Sequence, residues 1–265
     1  MSELLRTENV SEVFGGLKAV TDFNIHLDRG ELVGLIGPNG AGKTTAFNML
    51  TGVYQPTTGS ITFEGKSIVG LKPYQVTQRG IARTFQNIRL FSELTVLENV
   101  KIAFHYHVKY SMLEAVFRIG RYFKEEERIE EEAHKLLKIF HLDDKADEVA
   151  KNLPYGAQRR LEIARALAAK PKLLLLDEPA AGMNPQETKE LMEMIRWIRQ
   201  EFGLTILLIE HDMSLVMGIC ERIYVLEYGE IIAQGTPAKS RRIRRSSVPT
   251  LVPRTDEDRI LADER

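Results

Sequence analysis

One short segment of the chain has the residue types and spacing that can hold a polyphosphate. It follows the apolar run of residues 31–36 and leads into residues 43–50, which have helical character. A strand, a loop and a helix are therefore predicted in that order. Glycines let backbone N–H groups turn toward a phosphate, and the helix directs its positive end to the same place. We expect Lys43 to reach the terminal phosphates and Thr44 to bind Mg²⁺. The predicted nucleotide contacts in this segment are Gly37, Pro38, Asn39, Gly40, Ala41, Gly42, Lys43, Thr44 and Thr45.

Two adjacent carboxylates follow a second apolar run, residues 173–176. In a chain that binds a nucleotide, we expect Asp177 to hold Mg²⁺, directly or through water. Glu178 would then polarise the attacking water as a general base. His211 follows a third predicted strand, residues 204–210. A single histidine is more often structural than catalytic, but its place at a strand end beyond the carboxylates favours a contact with the γ-phosphate.

The elements that must position these groups alternate between strands and helices. Phe23, Ile25 and Leu27 alternate with polar residues, as do Ile61 and Phe63, which predicts half-buried strands in the first third of the chain. After Tyr155 the pattern predicts, in order, a helix to 169, a strand at 172–177, a helix at 185–202, a strand at 204–210 and short strands at 222–226 and 230–233. This order is typical of an α/β fold with a mostly parallel sheet that is covered on both faces.

The middle of the chain has a different composition. Gly120 is the only glycine between residues 87 and 152, and residues 124–139 carry apolar side chains mostly at helical spacing. We therefore predict a helical subdomain inserted into the α/β core. The predicted division is a nucleotide-binding core with a β subdomain, residues 1–86 and 155–237, a helical subdomain of residues 87–154 and an atypical tail of residues 238–265.

The composition excludes several classes of protein. The 265 residues are 43% hydrophobic and 28% charged, which excludes a disordered or fibrous chain. The formal net charge of -1 provides no overall field to attract nucleic acid or an anionic membrane. A single cysteine, Cys220, excludes a disulfide framework and fits a reducing compartment. No apolar run approaches the roughly 20 residues that span a bilayer, and residues 1–16 do not read as a signal peptide. We expect a cytosolic globular protein.

The motifs together resemble those of ATP-binding cassette (ABC) transporter ATPases, in the same order and over nearly the whole chain through about Pro237. The matching segments are residues 37–45, Gln86 after Arg83-Thr84-Phe85, residues 153–167, residues 173–179 and His211. Residues 83–91, residues 178–185 and the long insertion at 106–144 are similar, more narrowly, to the branched-chain amino acid importer ATPases. The resemblance implies a P-loop NTPase core with a mostly parallel sheet, an N-terminal antiparallel β subdomain and an inserted helical subdomain.

The resemblance also implies roles for residues that spacing alone does not assign. Phe14 matches the aromatic residue that stacks on adenine, although a lone aromatic before two glycines is as readily a core residue. Gln86 matches the glutamine that senses Mg²⁺ and the γ-phosphate. Tyr155 and Gly156 fall in the signature segment, which contacts the nucleotide of a second ATPase subunit. The implied cofactors are ATP and Mg²⁺, with Thr44, Gln86 and Asp177 as the metal-binding residues.

The signature segment departs from the family pattern. The usual Leu-Ser-Gly-Gly-Gln is replaced by Leu153-Pro154-Tyr155-Gly156-Ala157, so the serine hydroxyl and the glutamine are lost. Gly156 and the start of the following helix remain, and a helix N-terminus still attracts phosphate. We therefore expect this segment to engage the opposite subunit's γ-phosphate more weakly. ABC ATPases pair head to tail, so we expect the partner ATPase to be a paralogue rather than a second copy. Asn184 stands where the family usually has aspartate.

The predicted function is that of an ATP-hydrolysing subunit that energises import of branched-chain amino acids from the cytoplasmic face of the cell membrane. Its partners would be integral membrane permease subunits, contacted around residues 87–100, and indirectly an extracytoplasmic amino-acid-binding protein, with no specific nucleic acid. One alternative is a soluble ABC-type ATPase acting on ribosomes or nucleic acid. Another is an ABC ATPase for a different small polar substrate. A P-loop kinase or GTPase does not explain Gln86, residues 156–167 and His211 together.

The tail has a character of its own. Residues 239–245 hold five lysines and arginines, and serine, proline and acidic residues follow without an apolar period. A disordered solvated tail, a polybasic patch for anionic lipid or RNA, and a frameshifted reading of the gene all fit this composition.

Overall fold

A computed structural model describes residues 2–108 and 110–237 of the chain, so the predictions for the tail lie outside the described residues. The strands are Glu3–Phe14 (β1), Leu17–Phe23 (β2), His26–Asp28 (β3), Leu32–Ile36 (β4), Thr58–Phe63 (β5), Lys66–Ser67 (β6), Ile81–Arg83 (β7), Leu173–Asp177 (β8), Thr205–Ile209 (β9), Arg222–Glu227 (β10) and Glu230–Gly235 (β11). The α-helices are Lys43–Leu50 (α1), Pro73–Arg79 (α2), Val96–Phe104 (α3), Met112–Phe117 (α4), Tyr122–Ile139 (α5), Tyr155–Ala168 (α6), Pro185–Glu201 (α7) and Met213–Ile219 (α8).

The central sheet has six strands in the order β11-β10-β4-β9-β8-β7. The five strands from β10 to β7 run parallel to their neighbours, and only β11 is antiparallel, at the edge. Every residue of β4, β8 and β9 is buried. Strands that are buried on both faces read as continuous apolar runs rather than alternating ones. The predicted mostly parallel sheet is confirmed.

The two faces of this sheet belong to two separate cores. Leu174 and Leu176 of β8 pack into a core shared with α3 and α5 to α8, whereas Leu173 and Leu175 pack into a core shared with α1 and the N-terminal strands. Successive side chains of a strand point to opposite faces, which explains this alternation. The phosphate-binding segment and the helical part of the chain therefore lie on opposite faces of one sheet.

An N-terminal antiparallel sheet covers one core. Its order is β2-β1-β5-β6, and β3 also pairs with β1. The alternation at residues 23–27 predicted one strand, but β2 ends at Phe23 and β3 begins at His26. The Thr7 hydroxyl bridges the break, donating to the Phe23 carbonyl and accepting from the Ile25 N–H, each at 2.9 Å. The Thr7 N–H also donates to the Ile25 carbonyl at 2.9 Å, so one residue of β1 contacts both sides of the break through its side chain and backbone.

The helical segment forms around the amphipathic helix α5, as its spacing predicted. The buried side of α5 carries Ile129, Ala133, Leu136 and Leu137, and these residues join the core with α3 and α6. In α3, Thr95 and Glu98 form a reciprocal capping box that satisfies N–H groups at the helix start. In the part of the chain that the structure describes, no helix has the length and apolar character needed to cross a bilayer.

Candidate active site

Glycines shape the loop between β4 and α1. A larger residue at these positions would strain the backbone or collide with a neighbouring carbonyl oxygen. Gly40 and Gly42 have φ angles of 78° and 101°, in the left-handed region. A Cβ on Gly42 would come within 2.6 Å of the Ala19 carbonyl oxygen, and one on Gly37 would collide with the Leu226 carbonyl oxygen. α1 begins with no side-chain cap, so its first N–H groups are directed toward the loop. This loop can wrap a phosphate group with backbone donors.

Lys43 is the first residue of α1 and its side chain is buried. Its ammonium group donates hydrogen bonds to the carbonyl oxygens of Gly37 and Pro38, at 2.8 and 2.9 Å. Burial lowers the pKa of Lys43, while the nearby carboxylates of Glu178 and Asp177 oppose that shift. The lysine is thus held inside the loop, beside both carboxylates, where it can bind an anionic phosphate.

Three predicted site residues meet at the end of β8. Gln86 Nε2 donates a hydrogen bond of 2.8 Å to Glu178 Oε2, and His211 Nδ1 lies 3.8 Å from the same oxygen. Glu178 adopts a left-handed φ of 46°, and its N–H bonds to the carbonyl of Ile209 at the end of β9. The carboxylate can therefore hold and activate a water, with Gln86 and His211 both close to its Oε2.

A cavity of about 550 Å³ connects the loop to Gln86 and Glu178, whereas His211 does not line it. It is lined by Leu17, Lys18, Ala19, Asn39, Gly40, Ala41, Gly42, Lys43, Thr44, Thr45, Gln86, Glu178 and Tyr228. A larger cavity of about 730 Å³ lies between the end of α5 and helices α6 and α7. Residues 37–45 do not line it, nor do Asp177 and Glu178. The smaller cavity is therefore the candidate nucleotide site.

Several predicted residues lie outside the cavity lining. The carbonyls of Gly37 and Pro38 bond to Lys43, and Asp177 is buried at the end of β8. Phe14 is exposed at the end of β1 and packs edge-on against Tyr54, with ring centroids 5.2 Å apart. The structure therefore does not bring Phe14 to the cavity, where Leu17 and Tyr228 present exposed apolar surface. Its contact with adenine stays a prediction.

The signature residues Tyr155 and Gly156 lie at the start of α6, away from the lining of this cavity. Gly182 lies against Tyr155, since a Cβ added there would be 3.4 Å from the ring. Pro154 precedes α6 and accepts hydrogen bonds from the N–H groups of Ala157 and Gln158. Asn184 caps α7 by accepting from the N–H groups of Gln186 and Glu187, so its amide has a local structural use.

A buried ion pair that the motifs did not reveal joins α6 to the segment around Gln86. Arg159 donates to the carbonyls of Phe85 and Gln86 at 2.6 and 2.8 Å and to Glu162 at 2.9 Å. Glu162 in turn accepts from the N–H groups of Phe85 and Arg89, each at 3.2 Å. The Gln86 segment is therefore clamped to α6, the helix that begins with the signature residues Tyr155 and Gly156. Arg159 and Glu162 fall inside the segment 153–167, but nothing in their spacing identified the clamp.

Two further charged residues support the site without having been predicted. Arg83 Nη2 donates to Asp177 Oδ2 at 2.6 Å. Glu210 is completely buried at the end of β9 and accepts from the N–H groups of Ala180 and His211, at 2.9 and 3.1 Å. Burial raises the pKa of Glu210, although these backbone bonds act in the opposite direction. Glu210 thus joins the loop after Glu178 to the loop that carries His211.

Comparisons with known proteins agree with this geometry. The profile of the family described as "ABC transporter" matches residues 20–181. The chain is 47% identical over 238 residues to the high-affinity branched-chain amino acid transport ATP-binding protein LivG of Salmonella typhimurium, covering 90% of this chain and 93% of LivG. It is 36% identical over 235 residues to the lipopolysaccharide export system ATP-binding protein LptB of Escherichia coli, covering 89% of this chain and 91% of LptB.

Two solved structures have the same fold. The ADP conformation of MJ1267, an ATP-binding cassette of an ABC transporter, has a TM-score of 0.80 and 34% identity, covering 93% of this chain and 96% of that one. A dimeric post-hydrolysis state of the ATP-binding cassette MJ0796, bound to ADP and Pi, has a TM-score of 0.75 and 27% identity, covering 88% of this chain and 99% of that one.

Proposed function

Since this chain belongs to the ABC transporter family and is an ATPase of that family, we propose that it energises the import of branched-chain amino acids across the cell membrane. The observation that carries the chemistry is the meeting of Lys43, Gln86 and Glu178 in one cavity. The observation that supports branched-chain amino acids as the cargo is the 47% identity to LivG over 90% of the chain.

In the proposed mechanism, the loop of residues 37–45 and the ammonium group of Lys43 hold the β- and γ-phosphates. Glu178 accepts a proton from the attacking water as general base. Gln86, which donates to Glu178 Oε2 at 2.8 Å, orients that carboxylate toward the water. His211 contacts the γ-phosphate from the other side, and Phe14 is the proposed adenine contact.

The residues present fit Mg²⁺. Asp177 is a buried carboxylate, and its negative charge acts to raise the pKa of Lys43. Thr44 and Gln86 line the cavity. Among the described residues no cluster of three His, Cys, Asp or Glu could hold a metal by itself. This fits an ion that uses one or two carboxylates together with substrate phosphates. Thr44, Gln86 and Asp177 are the proposed Mg²⁺-binding residues, and the ion would neutralise charge that develops on the phosphates.

The proposed working unit contains two ATPase subunits. Tyr155 and Gly156 do not line this chain's own cavity, which is the arrangement that a head-to-tail pair requires. The dimeric MJ0796 structure offers a template for such a pair. Because Pro154 and Ala157 remove two side-chain donors from the signature, a paralogous ATPase with a fuller signature is the proposed partner. Residues 1–86 and 155–237 are the proposed core, and residues 87–154 the subdomain that presents the signature.

Permease subunits are proposed to dock around residues 87–100, on the cytoplasmic face of the membrane. Phe91 is exposed there, whereas Val96 and Val100 are buried in the core of the helical segment. The clamp between Arg159 and the carbonyls of Phe85 and Gln86 would move this surface together with the signature helix. An extracytoplasmic binding protein would act only through the permease, and no specific nucleic acid partner is proposed.

The second candidate is an ABC ATPase for a different cargo, because LptB shares 36% identity over 89% of the chain. The test is uptake of radiolabelled leucine into vesicles that contain the assembled transporter with this chain. ATP-dependent uptake that unlabelled isoleucine and valine suppress supports the proposal. Full ATPase activity without uptake of any branched-chain amino acid would transfer support to the second candidate.

A further inference from the structure

A buried arginine is bound to the carboxylate that is proposed to hold Mg²⁺. Arg83 and Asp177 form an ion pair of 2.6 Å, and their side chains are only 6% and 4% exposed. The central sheet builds this contact, since β7 and β8 are parallel neighbours and Arg83 pairs with Leu175, two residues before Asp177. Any nucleotide-bound metal at Asp177 must therefore share that carboxylate with a guanidinium group.

Neighbouring side chains hold the guanidinium in place. Its Nη1 donates to Asn48 Oδ1 at 2.7 Å. The rings of Phe47 and Phe85 lie 5.4 and 5.0 Å from its central carbon. Asn48 is four residues after Thr44 in α1, so the two residues share one face of that helix. Arg83 is thus bonded one turn below the hydroxyl that is proposed to bind Mg²⁺.

The pair is poorly arranged for stability alone. The Nε–H of Arg83 is buried and has no hydrogen-bond partner among the described residues. A buried ion pair is weak evidence for stabilisation, because the loss of hydration opposes the Coulomb attraction. Charge balance explains the pair better. Without Arg83, the positive charge of Lys43 would have to offset both Asp177 and Glu178.

We propose that Arg83 is the counter-ion of Asp177 and a positioning residue that sets how strongly the site binds Mg²⁺. Before nucleotide and metal arrive, the guanidinium neutralises a carboxylate that could not remain buried and unpaired. When the metal binds, it shares Asp177 with Arg83, which weakens its attraction to the site. This inference rests on the proposed role of Asp177 in binding Mg²⁺.

The test measures how much Mg²⁺ strengthens nucleotide binding. Calorimetry gives the Kd of ADP with Mg²⁺ and with EDTA, and their ratio is the Mg²⁺ factor of each variant. In Arg83→Met, a side chain of similar length without charge, we expect the Mg²⁺ factor to rise at least about fivefold, because a cation has left the vicinity of the metal. Arg83→Lys restores the charge and should return the factor to within about twofold of the unmodified protein.

Thermal unfolding supplies a second readout. Arg83→Met should melt below the unmodified protein without ligand, and Mg²⁺ with ADP should remove most of that deficit, because the metal supplies the missing positive charge. Arg222→Met is the matched control, since Arg222 forms a 2.6 Å ion pair with Glu31 and neither residue lines the nucleotide cavity. Its deficit should be the same with and without ligand, and its Mg²⁺ factor unchanged.

The possible outcomes separate this inference from the proposed function. A normal Mg²⁺ factor in Asp177→Asn would remove the proposed metal role of Asp177 itself. A reduced factor in Asp177→Asn, together with an unchanged factor in Arg83→Met, would overturn only the role of Arg83. If Arg83→Met does not fold, Arg83→Gln keeps a hydrogen-bond donor without the charge. That variant must then show the raised factor, and an unchanged factor would overturn the inference.

Discussion

Gln86 and Glu178 are 92 residues apart in the chain, yet Gln86 Nε2 donates a hydrogen bond of 2.8 Å to Glu178 Oε2. Gln86 follows β7 and Glu178 follows β8, and these two strands are parallel neighbours. The carboxyl ends of parallel strands meet at one edge of a sheet, which is where such folds bind ligands. The pairing gives Glu178, the proposed general base, a defined orientation and links it to the segment that Arg159 clamps to α6.

The first prediction concerns Glu178 as the general base. Glu178→Gln keeps the shape and the contact with Gln86 but cannot accept a proton. ATP hydrolysis should fall at least about 100-fold, whereas the Kd for ATP should change less than about threefold. Phosphate release and nucleotide titration measure the two quantities. Glu131→Gln, the same change on the exposed face of α5, is the control and should retain normal turnover. More than a tenth of normal activity in Glu178→Gln would exclude the proposed base.

The second prediction concerns the clamp between the Gln86 segment and α6. Arg159→Met leaves the Glu162 carboxylate buried without its cation, which should lower the free energy of unfolding by roughly 3–5 kcal/mol. Urea denaturation measures this loss. Arg128→Met removes two ion pairs, with Glu125 and Glu132, that are about a third exposed on the arginine side, and should cost less than about 1 kcal/mol.

A double variant separates lost charge pairing from lost packing at the same place. In Arg159→Met with Glu162→Gln, the amide oxygen can still accept from the N–H groups of Phe85 and Arg89, and both charges of the fully buried pair are gone. At least half of the lost stability should return. A double variant as unstable as Arg159→Met alone would mean that the hydrogen bonds of Arg159 to the Phe85 and Gln86 carbonyls, rather than charge pairing, dominate.

The third prediction concerns the pH dependence of stability. Burial raises the pKa of Glu210 above its ordinary value of 4.5. The folded chain therefore holds this proton at pH values where the unfolded chain has released it. Its contribution to stability is present below 4.5 and is lost as pH rises through the raised pKa. Glu210→Gln should remove this dependence. The Tm of the unmodified protein should therefore fall relative to the Tm of the variant as pH rises through that window. A constant difference would contradict the raised pKa.

These results show which parts of the site sequence reasoning could reach. The loop of residues 37–44 is contiguous, so its glycines, Lys43 and the following helix predicted it directly. The apolar runs before Asp177 and His211 predicted strands β8 and β9, because strands buried on both faces are continuously apolar. Arg83 and Arg159 carried no comparable signal for these contacts, since Asp177 is 94 residues from Arg83 and Phe85 is 74 residues from Arg159, and both contacts depend on sheet register and helix packing.

The fold was predicted less well at the break between β2 and β3. The alternation of Phe23, Ile25 and Leu27 correctly indicated burial. It could not reveal that the strand divides after Phe23, where the Thr7 hydroxyl bonds to the backbone of Phe23 and Ile25. Alternation reports which face is buried, whereas continuity of a strand depends on a partner that is distant in the chain.

The fourth prediction concerns the altered signature. With Glu178→Gln in this chain and an unmodified partner ATPase, only the site on the partner's phosphate loop can turn over. Replacing Pro154 by Ser and Ala157 by Gln returns two side-chain donors toward that site, and its turnover should rise about fivefold. Single-site ATP hydrolysis by the assembled pair measures the change. Unaltered turnover would mean that the signature of this chain does not limit that site.

The central claim is that this cavity is one half of an ATP site that a second ATPase subunit completes. Light scattering on Glu178→Gln, alone and mixed with the paralogous subunit, tests it most directly, because a chain that binds ATP without hydrolysing it should remain in the closed pair. We expect ATP to double the particle mass, and a larger fraction of particles to form pairs in the mixture than with the chain alone. Particles that bind ATP yet stay monomeric in both samples would contradict the claim.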